Sequence, residues 1–488
     1  MTYLWDGPNW TFPLLEIVSQ EIEKIGVDEM GLSIYPNQIE IITSEQMLDA
    51  YSSVGMPVMY NHWSFGKIFA RDKHRYDKGM QGLAYEIVIN SNPCISYLME
   101  DNTMTMQALT ISHAGIGHNF FFKNNNLFKT WTDASSIIDY LIFAKKYILD
   151  CENKYGYKEV EEFLDCCHSL QQYGVNKYKK PGKLSIIAEK EREKNRRESS
   201  QAEINVLYDS LIKKSVLTID ENFPKEPEEN ILYFCEKYSP DLPEWKRECI
   251  RIVRKVSQYF YPQIQTKVMN EGCATYVHHR IMNRLHDKKL MTDGSMLEFM
   301  LSHTNVVSQP NFDSKYYSGI NPYALGFAMM CDIERICKNP TKEDLQWFPT
   351  FAGCNDHMNI LRHAWENYRD ESFIRQFLSP KVIRDFKLFH VVNDLRNKDL
   401  EVAFIHNDNG YDNIRNSLAD NYEINNTIPR IEVTKMDLKS RALHLTYYQY
   451  NGRDLKNGYV MGKKIKKLWN DYPITIWDDH GRCITTSQ

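Results

Sequence analysis

The chain has 488 residues, of which 42% are hydrophobic and 25% charged, and its formal net charge is −5. This composition is that of a soluble globular protein with room for about two or three domains, and the negative charge argues against a broad nucleic-acid-binding surface. No segment approaches the roughly 20 consecutive apolar residues that a membrane-spanning helix needs. We therefore expect neither a nucleic-acid partner nor a membrane span.

The cysteines and the first apolar stretch both bear on where the protein resides. Eleven cysteines are scattered without any Cys-x-x-Cys pair, and an odd, irregular set is typical of reduced thiols. Residues 11–26 are apolar but interrupted by Glu16 and Glu21, and they lack a basic leading region. This pattern predicts an amphipathic helix rather than a signal peptide. We therefore expect a cytoplasmic protein.

The first hundred residues predict helices flanking a short β element. Helical periodicity covers 10–27 and 43–53, and β-favouring isoleucines between them indicate one or two short strands with Pro36-Asn37 as a hairpin turn. Alternation from Tyr85 to Ile89 predicts another strand. Asn92-Pro93 then ends this strand, and we expect a helix to start after the turn.

Most of the remaining sequence up to residue 385 has helical periodicity, which we assign over 133–173 and 230–300. A charged excursion at about 186–203 has almost no apolar residue and predicts a solvated segment. After residue 385, alternating strands and turns such as Asn409-Gly410 and Asn451-Gly452 follow. We predict a mainly α-helical body over 1–385 and a small α+β domain over 386–488.

Two histidines, His113 and His118, lie five residues apart on the predicted helix 103–122. An ideal α-helix would place them about 140° from each other, so one ion could not bind both from one face. Gly115 and Gly117 lie between them and would allow a π-bulge, which absorbs the extra residue and returns both side chains to one side. Such bulges occur often at functional sites.

A second helix supplies a carboxylate. Glu271 and His278 are seven residues apart, close to two helical turns, so both side chains point the same way. The small residue Gly272 beside Glu271 would let another helix approach closely. Two histidines of one helix with a carboxylate of another suit Zn²⁺ or a similar divalent ion. The alternative is that these histidines only pack in the core or lie at the surface.

Long blocks of the chain resemble the SpoVR family, the stage V sporulation protein R-like proteins, from about residue 5 to 475. In that family the two helices typically read HACYGHNSFF and NEGWATYWHY. The blocks that carry the resemblance are YNHWSFGK (60–67), GLAYEIVINSNPCISYLMEDNTMTMQAL (82–109), HAGIGHNFFFKNN (113–125), NEGCATYVHH (270–279) and YSGINPYALGFAMMCDIERI (317–336). Gly115-Ile116 and Cys273 depart from the family patterns. The candidate ligands stand at matching positions: His113, His118, Glu271 and His278.

The resemblance implies a protein that takes part in sporulation, in spore cortex or peptidoglycan development. Proteins of this family are often encoded with a serine kinase of the PrkA type. A looser similarity links the two histidine-bearing helices to the HExxPGH and EGWAxY elements of helical gluzincin metallopeptidases. It implies a gluzincin-like helical body in which two histidines and a later glutamate hold zinc. The segment 316–327 is similar to the one that supplies a transition-state hydrogen bond there. Its tyrosines Tyr316, Tyr317 and Tyr323 are candidate donors, of which we select Tyr323; the alternative is that they simply pack.

The expected general base of a gluzincin is missing, because Ala114 stands where the HExxH glutamate would be. A hydrolase that activates water needs such a base close to the metal. Glu86, on the half-buried strand, is the substitute candidate, since burial would raise its pKa. The alternative is that Glu86 faces solvent on the polar side of the strand. If His278 is a fourth ligand, the metal site would be closed, as structural metal sites usually are. Otherwise His278 would be a partner that supports one of the ligands from behind.

These observations predict a divalent-metal-dependent hydrolase that acts on amide bonds, with a substrate related to peptidoglycan. A cytoplasmic location restricts that substrate to precursors or makes the role indirect. The alternative is a non-catalytic regulatory protein in a complex with a PrkA-type serine kinase, with the histidine and glutamate cluster structural or vestigial.

Overall fold

The computed structural model describes most of the chain outside one long internal segment. The residues described are 3–177 except 54, 57 and 81–85, then 227–388 except 313, and then 391–392, 401–402, 408–437, 439–449, 455 and 457–487. The charged excursion at 186–203 and the predicted Asn451-Gly452 turn lie outside them.

The described part of the chain is mainly helical, as predicted. The helices, in chain order, are α1 (Phe12–Lys24), α2 (Ser44–Ser52), α3 (Trp63–Asp77), α4 (Met104–Thr110), α5 (Asn119–Asn124), α6 (Asn126–Trp131), α7 (Ile137–Tyr155), α8 (Tyr157–Ser169), α9 (Ile231–Tyr238), α10 (Glu244–Ile264), α11 (Lys267–Asp287), α12 (Asp293–Val306), α13 (Pro322–Lys338), α14 (Lys342–Trp347), α15 (His357–Asn367), α16 (Asp370–Phe377), α17 (Pro380–Asp385), α18 (Asp408–Tyr422), α19 (Ile424–Thr427) and α20 (Gly458–Leu468). None of the helices in the described ranges combines the length and the apolar character that crossing a bilayer requires.

Contacts divide the chain into two compact units that interleave in sequence. The first comprises Met1–Pro57, Ser64–Thr130 and Pro262–Thr427, and the second comprises Val58–Trp63, Trp131–Tyr261 and Ile428–Gln488. The division into domains at residue 385 stays a prediction.

A three-stranded sheet near the N-terminus confirms the predicted short β element. It contains β1 (Asn37–Ile42), β2 (Glu86–Ile89) and β3 (Cys94–Met99) in the order β1-β3-β2. The predicted hairpin at Pro36-Asn37 is wrong, because Asn37 begins β1, which runs parallel to β3.

The predicted helix after Asn92-Pro93 is also wrong, since β3 follows and pairs antiparallel with β2. Cys94, Ser96 and Leu98 are buried and alternate with half-buried residues, which is the period-2 burial of a strand.

Three elements at the centre of the first unit carry the candidate ligands and their neighbours. Between α4 and α5 the backbone forms a π-helical segment, Ile111–His118, which packs against α11, and α11 packs in turn against α13. Small residues permit these close approaches: a Cβ on Gly117 would lie 2.5 Å from Ala274 Cα, and a Cβ on Gly272 would lie 2.7 Å from Gly326 Cα. The predicted role of Gly272 in helix packing is thereby confirmed.

The first turn of α11 is held by a buried carboxylate from α16. Asp370 accepts hydrogen bonds from the backbone N–H groups of Val268 at 2.9 Å and Met269 at 2.8 Å. These N–H groups have no partner within their own helix, so the carboxylate acts as a cap. Because Glu271 lies within the next turn, this cap fixes the start of the helix that presents it.

Strands and helices alternate after residue 385, which agrees with the α+β composition predicted there. The strands are β4 (Val391–Val392), β5 (Glu401–Val402), β6 (Arg430–Met436), β7 (Leu443–Tyr448), β8 (Ile474–Asp478) and β9 (Cys483–Ser487), and β6-β7-β8-β9 form one sheet. The turn predicted at Asn409-Gly410 is wrong, because both residues lie in α18. Tyr411, Ile414 and Leu418 of that helix are buried at helical spacing, and this burial outweighs the local turn preference of Asn-Gly.

Candidate metal centre

The π-helical segment brings two imidazoles to one side of a helix. His113 and His118 are both buried, and their ring centroids are 4.7 Å apart with the rings edge to face. The wide turn confirms the π-bulge predicted from the five-residue spacing and the two glycines. Its cost in stability is offset by complete burial of the segment Ile111–His118.

Glu271 projects from α11 towards both rings. Its Oε2 atom lies 3.5 Å from His118 Nε2 and 3.7 Å from His113 Nε2. One ligand atom from each of the three side chains lies within 4.8 Å of the others. The structure therefore brings together the two histidines and the glutamate that the sequence nominated.

The chemistry of this group fits a divalent cation. Glu271 Oε2 is buried and has no hydrogen-bond partner, which is costly for a carboxylate oxygen unless a cation contacts it. In a tetrahedral zinc site with bonds of about 2.0–2.1 Å, neighbouring ligand atoms are roughly 3.3 Å apart. The observed separations of 3.5 and 3.7 Å are close to that spacing. Two imidazoles and one carboxylate also match the donors that zinc prefers.

The outer nitrogens of both histidines are occupied. His118 Nδ1 lies 2.9 Å from Asn270 Oδ1, and because the amide oxygen can only accept, the nitrogen must donate. The lone pair of His118 is then on Nε2, the atom that faces Glu271. Such a partner fixes the ring of a metal ligand and its tautomer.

His278 lies behind His113 rather than among the three converging groups. Its Nδ1 is 2.8 Å from His113 Nδ1, and its Nε2 is 2.9 Å from His303 Nδ1. Both nitrogens of His278 are thus engaged by other imidazoles, and His278 is not in the three-residue group found among the described residues. The geometry favours a partner of His113 over a fourth ligand.

The two candidate catalytic residues also lie at this site. Glu86 is the first residue of β2, its side chain is 19% exposed, and its Oε1 lies 3.8 Å from His113 Nε2. It therefore faces the cluster and not the solvent side of the strand. Tyr323, on α13, stacks its ring on His113 with centroids 6.4 Å apart, and its hydroxyl lies near enough to Glu271 for that carboxylate to add to burial in raising its pKa.

Burial and charge together set the protonation of the cluster. Burial raises the pKa of Glu86 to about 6, and the nearby charge of Glu271 adds to this effect. Burial lowers the pKa of His118 to about 4, which keeps its imidazole neutral. At His113 burial also acts to lower the pKa, but Glu271 and Glu86 outweigh it and raise the value above that of free histidine. A cation at this point would replace the proton that these carboxylates attract.

His303, on α12, is the site neighbour that sequence reasoning missed. Its environment in the sequence, LSHTN, has no motif. Only the packing of α12 against α11 brings it to His278.

Comparison with known proteins identifies the family. The sequence model of the family described as "SpoVR like protein" matches residues 9–427. The chain belongs to the SpoVR family. An uncharacterized protein of Escherichia coli strain K12, YcgB, is 55% identical to this SpoVR protein over 473 residues, which are 96% of this chain and 92% of the relative. No solved structure matches the chain.

Membership of the SpoVR family suggests a role related to sporulation. The name of the Escherichia coli relative assigns no activity. The chemistry of this SpoVR protein therefore has to be argued from its own site.

Proposed function

We propose that this SpoVR protein is a divalent-metal-dependent hydrolase of amide bonds with a gluzincin-like site, and that zinc is its ion. His113, His118 and Glu271 would hold the ion, Glu86 would act as general base and Tyr323 as hydrogen-bond donor. The observation that carries the proposal is the buried, unpartnered Oε2 of Glu271, flanked by the Nε2 atoms of the two histidines.

An ion bound there would supply Lewis-acid chemistry, polarising a carbonyl and making water more acidic. The protein's part is to hold the site dry and fixed. His113 and His118 are 5% and 6% exposed, so most water is excluded and electrostatic interactions inside the site are strengthened. Asn270 and His278 support the two imidazoles from behind.

Glu86 is suited to accept a proton at the site. It enters from the sheet, on a different element from all three candidate ligands, and its carboxylate reaches the same side of His113 as Glu271 does. A separate element can supply the base that Ala114 cannot. Its raised pKa of about 6 is also close to the range in which a general base works best near neutral pH.

Tyr323 is suited to donate a hydrogen bond to developing negative charge. Burial, reinforced by the charge of Glu271, raises the pKa of its hydroxyl well above the usual value, so the proton stays on the oxygen. In the structure this hydroxyl lies near Glu271. A rotation about the side chain would redirect it to an oxyanion, where such a donor is worth about 10²–10³ in rate.

Peptidoglycan-related compounds are the proposed substrate class, and the cytoplasm the proposed location, which points to soluble precursors. Membership of the SpoVR family supports this choice, because the resemblance to that family implies a part in spore cortex or peptidoglycan development. The competing function is that of a non-catalytic regulator acting with a PrkA-type serine kinase, and Ala114 in place of the expected glutamate supports it.

The Glu86→Gln variant separates these two functions. We expect it to bind zinc within about threefold of the wild-type affinity, because the ligands are unchanged, and to lose on the order of 10²–10⁴ in the rate of amide hydrolysis, because the general base is gone. The measurement is zinc affinity and cleavage of soluble muropeptides by the zinc-loaded proteins. Glu40→Gln is a matched control, since Glu40 lies on β1 of the same sheet and its carboxylate accepts from Gln38.

One result would count against the role of Glu86, and another would count against the hydrolase. Equal cleavage by Glu86→Gln and wild type would remove Glu86 from the mechanism. Stoichiometric zinc without cleavage of any muropeptide amide by the wild type would favour the regulatory function.

A further inference from the structure

A row of three buried histidines leads away from the candidate metal site. His113 Nδ1 is 2.8 Å from His278 Nδ1, and His278 Nε2 is 2.9 Å from His303 Nδ1. The rings come from the π-helical segment, α11 and α12, and each residue is 5% exposed or less. Three separate elements therefore converge to build the row, and only its first ring belongs to the proposed ligand set.

The two short contacts link the tautomers of the three rings. Between two imidazole nitrogens at hydrogen-bond distance, one must carry the hydrogen and the other must accept it. Burial disfavours a charged imidazole at His278 and His303, and a cation on His113 would take the place of a second hydrogen on that ring. With the cation bound, each ring therefore carries one hydrogen, on one nitrogen only. The tautomer of the ring at one end of the row therefore determines the tautomer of the ring at the other end.

A cation on His113 selects one of the two possible directions. It needs the lone pair of Nε2, the atom facing Glu271, so the hydrogen of His113 must be on Nδ1. His113 then donates to Nδ1 of His278, and His278 carries its own hydrogen on Nε2. His278 in turn donates to Nδ1 of His303, which keeps its hydrogen on Nε2. The opposite direction would put a hydrogen on His113 Nε2 and block the site.

We propose that His278 and His303 are positioning residues that hold His113 in the tautomer able to bind a cation, and that His303 thereby controls the metal affinity without touching the metal. This inference rests on the metal site of the proposed function, but not on hydrolysis. His303 matters because it supplies the acceptor that keeps the hydrogen of His278 on Nε2. Loss of such an outer partner typically lowers metal affinity by about 10–100-fold.

Two substitutions of His303 and one neighbouring control test the acceptor. His303→Asn keeps an acceptor oxygen near the position of Nδ1, whereas His303→Leu removes it. His279→Leu is the neighbouring control. It removes an imidazole whose ring centroid lies 4.8 Å from that of His303 and 5.3 Å from that of Phe327 but which takes no part in the row. Zinc dissociation constants would be measured by competition with a chromophoric chelator.

We expect His303→Leu to weaken zinc binding by about 10–100-fold, and His303→Asn and His279→Leu to stay within about threefold of wild type. Equal affinities for the two His303 variants would overturn the inference. Failure of the wild-type protein to bind zinc at all would instead overturn the metal site and the proposed function with it.

The direction of the row can be read spectroscopically. In zinc-loaded protein with ¹⁵N-labelled histidine, the nitrogen chemical shifts of His278 and His303 should show the hydrogen on Nε2 and a bare Nδ1 in both rings. A merely structural role of His303 does not require this pattern. A hydrogen on Nδ1 of either ring while zinc is bound would contradict the proposed direction.

Discussion

The Glu271→Gln variant is expected to lose zinc binding while keeping its fold. The substitution removes the one anionic ligand of the group and leaves the two imidazoles in place. The loss of affinity should exceed the roughly 10–100-fold that an outer partner contributes. Metal-free stability should fall only slightly, because an amide of nearly the same shape replaces a buried carboxylate whose Oε2 has no hydrogen-bond partner, and only its electrostatic attraction to the two histidines is lost.

Zinc titration and thermal unfolding of the metal-free proteins measure these two effects. Glu23→Gln is the matched control, since Glu23 is an exposed carboxylate on α1 of the same unit. Affinity within threefold of wild type would show that Glu271 is not a ligand. A large loss of metal-free stability would show that its carboxylate serves the fold instead.

The Gly326→Ala variant is expected to be strongly destabilised at the contact between α11 and α13. A Cβ at this position would lie 2.3 Å from Val268 O and 2.8 Å from Gly272 Cα. Both atoms belong to the backbone, so a whole helix must move to accommodate a methyl group. Overpacking of this kind costs about 1–3 kcal/mol or more. Movement of α13 would also draw Tyr323 away from Glu271.

The comparison for Gly326→Ala is Gly66→Ala, in α3, where a Cβ would meet no atom within 4 Å. That exposed helical position should gain roughly 0.5–1 kcal/mol from the same change. The free energy of unfolding in denaturant and hydrogen exchange along α11 and α13 give the readout. If Gly326→Ala unfolds at the wild-type midpoint, the two helices are not as closely packed as the structure has them.

The site was more predictable from sequence than the sheet beside it. His113, His118 and the glycines between them lie within one turn, so helix geometry alone indicates a bulge and two rings on one side. Glu271 lies on a distant helix, where its spacing from His278 nominated it and the family resemblance supported the choice. The strand β3 was missed because the sequence pattern predicts a helix after Asn92-Pro93, whereas residues 94–99 pair with the neighbouring β2 and also with β1, more than fifty residues earlier. The pairing with β1 leaves no local pattern in the sequence.

His303 could not be predicted for a related reason. Its relation to His278 depends on how α12 packs against α11, and the sequence between the two positions, which are 25 residues apart, contains no spacing that specifies it. His278 shows a second limit of prediction from sequence. Helical spacing correctly placed His278 on the same side of α11 as Glu271, but it could not distinguish a metal ligand from a residue that hydrogen-bonds to a metal ligand.

Anomalous diffraction from crystals of zinc-loaded protein, collected on both sides of the zinc edge, tests the central claim most directly. We predict one strong peak bonded to His113 Nε2, His118 Nε2 and Glu271, with His278 outside the coordination sphere. Stoichiometric zinc located elsewhere, or no peak among these three side chains, would contradict the metal centre and every function built upon it.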